Sequence, residues 1–180
     1  MALLDVNKLS IHFGGVKAVQ EVSFSIDAGI VYAVIGPNGA GKTTLFNLIT
    51  GVYKPTSGEI RLDGESIGGK SPNELATRGV ARTFQNLQIC MNMSAIENVM
   101  VGAHLRLDRN LLKAALRLPT LTRRDAEMRV EAAELMRFVG LEKYIEARAD
   151  AMPYGALKRL EIARALAMKP RLIFLDEPAA

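Results

Sequence analysis

Cysteine is almost absent from this 180-residue chain: Cys90 stands alone. One thiol can neither close an intramolecular disulfide nor build a multi-thiolate zinc site, so the composition points to a reduced, intracellular chain. Histidine occurs twice, at His12 and His104, and no cage of metal-ligating side chains is visible. Long apolar runs are also missing. The best of them, Ile30 to Ile35, is far short of the roughly 20 residues that cross a bilayer, so any membrane connection is expected through a partner or the surface. Met1 to Lys8 lacks the basic start and apolar stretch of a secretory signal, and export is not expected. Glycine and proline make up 22 of 180 residues, close to average usage, which excludes collagen-like and low-complexity classes. A single domain with a sizeable core is expected, since a chain of this length removes about 70% of its unfolded surface from water.

Net charge is +4, and its location matters more than its size. Seven basic residues (Arg106, Arg109, Lys113, Arg117, Arg123, Arg124 and Arg129) face three acidic ones between positions 106 and 129; the remainder balances at 16 against 16. The excess is therefore no general coating for nucleic acid, and no nucleic-acid partner is expected. Two readings of the stretch remain open: a solvated helical face, or a face turned to a membrane surface or to acidic loops of a partner.

Alternating apolar residues (Leu4, Val6, then Leu9, Ile11, Phe13, and again Val22, Phe24, Ile26) predict two half-buried antiparallel strands turned at Gly14-Gly15. Ile30–Ile35 and Leu172–Leu175 are apolar throughout and predict strands covered on both faces of a parallel sheet. Asp63-Gly64 predicts a hairpin over Glu59 to Ile67. Ser71-Pro72-Asn73-Glu74 predicts a capped short helix closed by Gly79, with a strand over Val80 to Phe84. From Ala95 to Ala149 three- and four-residue spacings, carried by Leu105, Leu112, Leu116 and then Ala132, Leu135, Met136 and Val139, predict helices. The order implies an α/β core carrying a helical subdomain.

Gly36-Pro37-Asn38-Gly39-Ala40-Gly41-Lys42-Thr43 fits the pattern G-x-x-x-x-G-K-[ST], after an apolar run and before a helix expected from Lys42 to about Ile49. Glycines let backbone N–H groups curl round an anion, and the helix start adds unpaired donors and partial positive charge. Lys42 is expected at the β- and γ-phosphates of a bound nucleotide, with Thr43 offering its hydroxyl to Mg2+ and Thr44 at the loop's end. Asp176-Glu177, ending the second apolar run, supplies one carboxylate for Mg2+ and another to polarise an attacking water.

With these motifs the chain resembles the ATP-binding subunits of ABC transporters over essentially its whole length. The resemblance implies a P-loop NTPase core of ABC ATPase type, with an N-terminal antiparallel β layer and an inserted helical subdomain: positions 1–86 and 165–180 form the β layer and core, positions 87–164 the insertion. Phe13 stands where that family stacks an aromatic on adenine; a strand-core role is the alternative. Gln85 matches the glutamine that contacts Mg2+ and the water and moves with the transmembrane partner. Met152-Pro153-Tyr154-Gly155-Ala156 takes the place of the signature, which in one subunit faces the γ-phosphate held by the other. Here Pro153 has neither hydroxyl nor N–H, Tyr154 replaces a glycine and Ala156 replaces a glutamine.

The Pro-Tyr-Gly signature, Arg82-Thr83-Phe84-Gln85 and Asp-Glu-Pro-Ala-Ala together resemble the LivG-type subunit of high-affinity branched-chain amino acid uptake. That likeness implies a head-to-tail dimer with a sister ATP-binding subunit, two transmembrane permease subunits, a periplasmic binding protein acting indirectly, and a peripheral place on the cytoplasmic face of the inner membrane. The family continues beyond Glu177 with a switch histidine that neither His12 nor His104 matches, so the chain is expected to be incomplete at its C-terminus. Two alternatives share most of these motifs: an ABC ATPase coupled to export of a lipid or other amphiphile, and a soluble ABC ATPase without a transport role.

Overall fold

The computed structural model describes residues 2–83, 86–106 and 119–176. The chain divides into two compact units, residues 1–80 and 81–180.

The first unit is built on an antiparallel sheet. Strands β1 (Leu4–Phe13) and β2 (Val16–Ile26) form the expected hairpin, and β3 (Ser57–Leu62) and β4 (Glu65–Ser66) extend it in the order β2-β1-β3-β4. Apolar positions in β1 step by three from Val6 to Leu9, which a period of two cannot place on one face. Lys8 adopts φ 45° and the register shifts there, a bulge that returns Leu9 to the buried side. Leu4, Val6, Leu9 and Ile11 are accordingly all buried. Asp63 (φ 51°) and Gly64 (φ 80°) make the tight turn between β3 and β4, both in the left-handed region that such hairpins require. Helix α1 (Lys42–Ile49) buries Leu45, Leu48 and Ile49. Helix α2 (Pro72–Thr77) opens on the expected capping box, with Ser71 and Glu74 satisfying each other's backbone N–H.

Ile30–Ile35 departs from expectation. These residues form no strand; Val31 is fully exposed and Ile35 nearly so. A strand covered on both faces needs ladder partners, and the first unit's sheet order includes no strand beside this segment. Tyr32 of this segment stacks on Phe24 of β2, with centroids 5.7 Å apart.

From the boundary onward the described residues form the pair β5 (Val80–Arg82) and β6 (Leu172–Phe174) and the α-helices α3 (Ala95–Gly102), α4 (Pro119–Phe138) and α5 (Tyr154–Leu166). In β6 only Phe174 is buried, so this strand is less covered than its uniform apolarity predicts. Leu112 and Leu116 of the helical pattern lie outside the described residues. Where the pattern is described it holds: Ala132 and Met136 of α4 join Ala95, Ile96 and Val99 of α3 and Leu157, Leu160 and Ala163 of α5 in one core. Ser94 and Glu97 cap α3 with a second capping box. Gly102 ends that helix against α5, where a Cβ would meet the Arg164 carbonyl oxygen at 2.1 Å; only glycine permits the approach. Asn98 is fully buried and satisfied, accepting from the Cys90 N–H at 2.8 Å and donating to the carbonyls of Cys90 and Ser94.

Part of the basic stretch is paired internally. Arg106 forks onto Glu131 with two bonds of 2.8 Å, and Arg129 pairs with Glu146. Arg109, Lys113 and Arg117 lie outside the described residues.

Candidate functional site

The phosphate loop lies in the first unit. Gly41 precedes α1 with φ 86°, and the Leu45 N–H donates to its carbonyl at 2.8 Å to start the helix. A Cβ on Gly41 would stand 2.6 Å from the Ala18 carbonyl oxygen of β2, so the loop is pressed against the hairpin. The Ala40 N–H donates to the Pro37 carbonyl at 3.2 Å, which closes the turn through Asn38 and Gly39. Pro37, Asn38, Gly39 and Ala40 are exposed, as is Thr43, while Gly36, Lys42 and Thr44 are half-buried. The Lys42 ammonium donates to the carbonyls of Gly36 at 2.6 Å and Pro37 at 2.8 Å. The lysine therefore folds back over its own loop and draws it round the cation, at the start of an eight-residue helix. Exposed N–H groups, a helix N-terminus and a held ammonium form a setting for a polyphosphate.

In the same unit Phe13 ends β1 at 45% exposure, which decides against a strand-core role. Its ring meets Tyr53 edge-on, centroids 5.2 Å apart at 74°.

The second unit carries the carboxylate. Asp176 follows β6 and is held twice: its Oδ2 accepts from Arg82 Nη2 at 3.1 Å, and its backbone N–H donates to Thr83 Oγ1 at 3.2 Å. Thr83 in turn donates its N–H to the Phe174 carbonyl at 2.9 Å, so the β5 edge orients the residue that ends β6. Gln85 and Glu177 lie outside the described residues. Within its own unit each described candidate for Mg2+ presents a hard oxygen donor, the hydroxyl of Thr43 in the first and the carboxylate of Asp176 in the second.

At the signature, Pro153 is the N-cap residue of α5 without a side-chain cap, and its carbonyl accepts from Ala156 at 2.9 Å and Leu157 at 3.1 Å. Tyr154 and Gly155 are exposed, with Lys158 Nζ 5.7 Å from the Tyr154 ring centroid. Ala156 is buried in the helical core, so its methyl group is turned away from solvent.

Sequence reasoning singled out neither Arg82 nor Thr83 for its tie to Asp176, and passed over Tyr53. A charged residue directly after the apolar pair Val80-Ala81 was the available signal, because a cation in a buried strand requires a partner.

Residues 19–180 match the ABC transporter family. Over 178 residues the chain is 43% identical to the high-affinity branched-chain amino acid transport ATP-binding protein BraF of Pseudomonas aeruginosa and 40% identical to LivG of Escherichia coli; each match covers 99% of this chain and 70% of the relative. Among solved structures, the ADP conformation of an ATP-binding cassette of an ABC transporter superposes with a TM-score of 0.82 at 33% identity. A nucleotide-free ATP-binding cassette from an ABC transporter gives 0.81 at 34%, and each of these two matches covers 100% of this chain and 70% of the other. Phosphate loop, β layer, helical unit and these likenesses agree: the chain belongs to the ABC transporter family as an ATP-binding cassette.

Proposed function

We propose that this chain is the ATP-binding and hydrolysing subunit that energises an ABC importer of branched-chain amino acids. The observation that carries the reading is the loop Gly36–Thr43, with its lysine held at the start of α1, in a chain 43% identical to BraF across nearly its full length. Positions 1–180 act as one nucleotide-binding domain, with the insertion at 87–164 carrying the signature.

Loop N–H groups from Gly36 to Thr44 bind the phosphates, and the Lys42 ammonium exchanges its two carbonyl partners for phosphate oxygens. Phe13 stacks on the adenine. Thr43, Gln85 and Asp176 would hold Mg2+, which would supply positive charge against the phosphates. Glu177 orients and polarises the attacking water. In a head-to-tail dimer the first turn of α5 at Tyr154 and Gly155 faces the nucleotide of a sister subunit, with Pro153 and Ala156 shaping that turn. Pro153 supplies no N–H, so the composite site built on this chain's Lys42 and Glu177 turns over faster than the site that uses its signature. Permease subunits place the assembly on the cytoplasmic face of the inner membrane, and a periplasmic binding protein delivers the substrate to them. Among the described residues no helix is long and apolar enough to cross a membrane.

The test is reconstitution with sister and permease subunits in vesicles. ATP turnover should rise with leucine-loaded binding protein and fall on the order of 10^2-fold or more in K42M. Turnover indifferent to every branched-chain amino acid, with salt-sensitive retention on nucleic acid, would overturn the transport reading. Equal slowing by E177Q and by the matching change in the sister would overturn the asymmetry.

A further inference from the structure

Two exposed aromatic rings meet at the edge of the first unit, held from two separate directions. Phe13 sits at the last register pair of the hairpin, opposite Val16, with the neighbouring His12 N–H donating to Thr56 Oγ1 at 3.2 Å. Tyr53 comes from the other side. Its N–H and that of Val52 both donate to the Asn47 carbonyl, at 3.1 and 2.8 Å, which wraps the chain back over the end of α1. The Thr56 N–H then donates to the Ser10 carbonyl at 2.9 Å and ties the segment carrying Tyr53 to the strand carrying Phe13. Burial does not account for the pair, since Phe13 is 45% and Tyr53 37% exposed.

Geometry leaves room for a third ring. At 74° the two rings are close to perpendicular, so Tyr53 covers at most one face of Phe13 and a planar group can lie flat on the other. The hairpin also sets the distance to the phosphate loop. Val16, opposite Phe13, is two residues from Ala18, whose carbonyl is the backbone atom pressed on Gly41. At about 3.3 Å per residue, that is roughly 7 Å along the strand. The aromatic pair and the phosphate loop therefore adjoin the same end of the hairpin, as a single ligand carrying both a base and phosphates requires.

We infer that Tyr53 is a positioning residue for the nucleobase: its ring fixes Phe13 edge-on and so presets the face on which the base stacks. The inference rests on the reading of Phe13 as the base-stacking residue. Tyr53 acts through Phe13, so its contribution exists only while Phe13 is present and depends on the ring rather than the hydroxyl. An aromatic pair of this kind accounts for about a three- to tenfold change in affinity.

The experiment compares ATP with inorganic tripolyphosphate as competitors for a fluorescent ATP analogue on the purified full chain. The ratio of the two dissociation constants isolates the nucleoside part, while the tripolyphosphate constant reports an intact phosphate loop. Y53A should lower the preference for ATP about three- to tenfold with tripolyphosphate binding unchanged, and Y53F should stay within about twofold of the parent. F13A should lower it at least as far, and Y53A/F13A no further than F13A alone. Unchanged preference in Y53A beside a loss in F13A would overturn the role of Tyr53 while leaving the Phe13 reading in place. Strictly additive losses, or a loss in Y53F equal to that in Y53A, would overturn action through the Phe13 ring. Unchanged preference in F13A would remove the stacking reading and the inference together. Should Y53A weaken tripolyphosphate binding as well, Y53L, which keeps apolar bulk without an aromatic ring, replaces it; a parent-like preference in Y53L overturns the inference.

Discussion

Arg82 grips Asp176 from a neighbouring strand: Nη2 lies 3.1 Å from Oδ2, with the two side chains only 9% and 14% exposed. Asp176 is thus oriented by a side chain as well as by its place after β6. Removing one partner of a largely buried pair leaves the other charge uncompensated, so R82A should destabilise the chain by about 3 kcal/mol. R82K keeps the charge without the planar fork and should cost less. Urea unfolding midpoints of the two variants check this, and equal midpoints for R82A and the parent would show that the pair contributes nothing to the fold.

Gly41 and Gly39 separate two effects within one loop. Both have positive φ, 86° and 82°, but a Cβ on Gly41 meets the Ala18 carbonyl at 2.6 Å, whereas one on Gly39 meets nothing within 4 Å. Gly39→Ala should carry backbone strain alone, about 1 kcal/mol. Gly41→Ala should carry that strain and push the loop off β2, giving the larger fall in melting temperature and a weaker hold on tripolyphosphate. Calorimetry with and without tripolyphosphate distinguishes the two.

Acid sensitivity of the helical unit should trace to Glu131. Hydrogen bonds from Arg106, and further ones from Lys169, hold its carboxyl below the usual carboxylate range. The folded chain therefore binds this proton less readily than the unfolded chain. Its stabilising contribution is complete above the ordinary glutamate value of about 4.3, and is lost as pH falls through the lowered folded value. Melting temperatures between pH 7 and 3 should fall less steeply for E131Q than for the parent; parallel curves would assign the acid limb to other carboxylates.

Much of the site could be read in the chain because its parts are local. The Gly-Lys-Thr run opens α1 at Lys42, and Ser71 and Glu74 cap α2, since each depends on residues within a few positions. Asp63-Gly64 turns the hairpin for the same reason. Phe13 could be read as inward or outward, because alternation assigns a strand residue to a face without saying what covers it; its exposure came from the position of the hairpin end. Ile30–Ile35 misled for a related reason. Uniform apolarity describes a strand that has neighbours on both sides, and it cannot supply those neighbours.

By itself the sequence determined the phosphate loop, the helix it opens, the hairpins and the capped helix starts, because backbone freedom and short-range hydrogen bonds are properties of adjacent residues. Only the tertiary structure decided that Arg82 meets Asp176 across 94 positions, that Tyr53 turns its ring onto Phe13, and that Gly102 lies against the backbone of Arg164. Such pairs form when separate elements are packed together, and the sheet order and helix crossings that join them arise from burying apolar faces collectively rather than from any one stretch of chain.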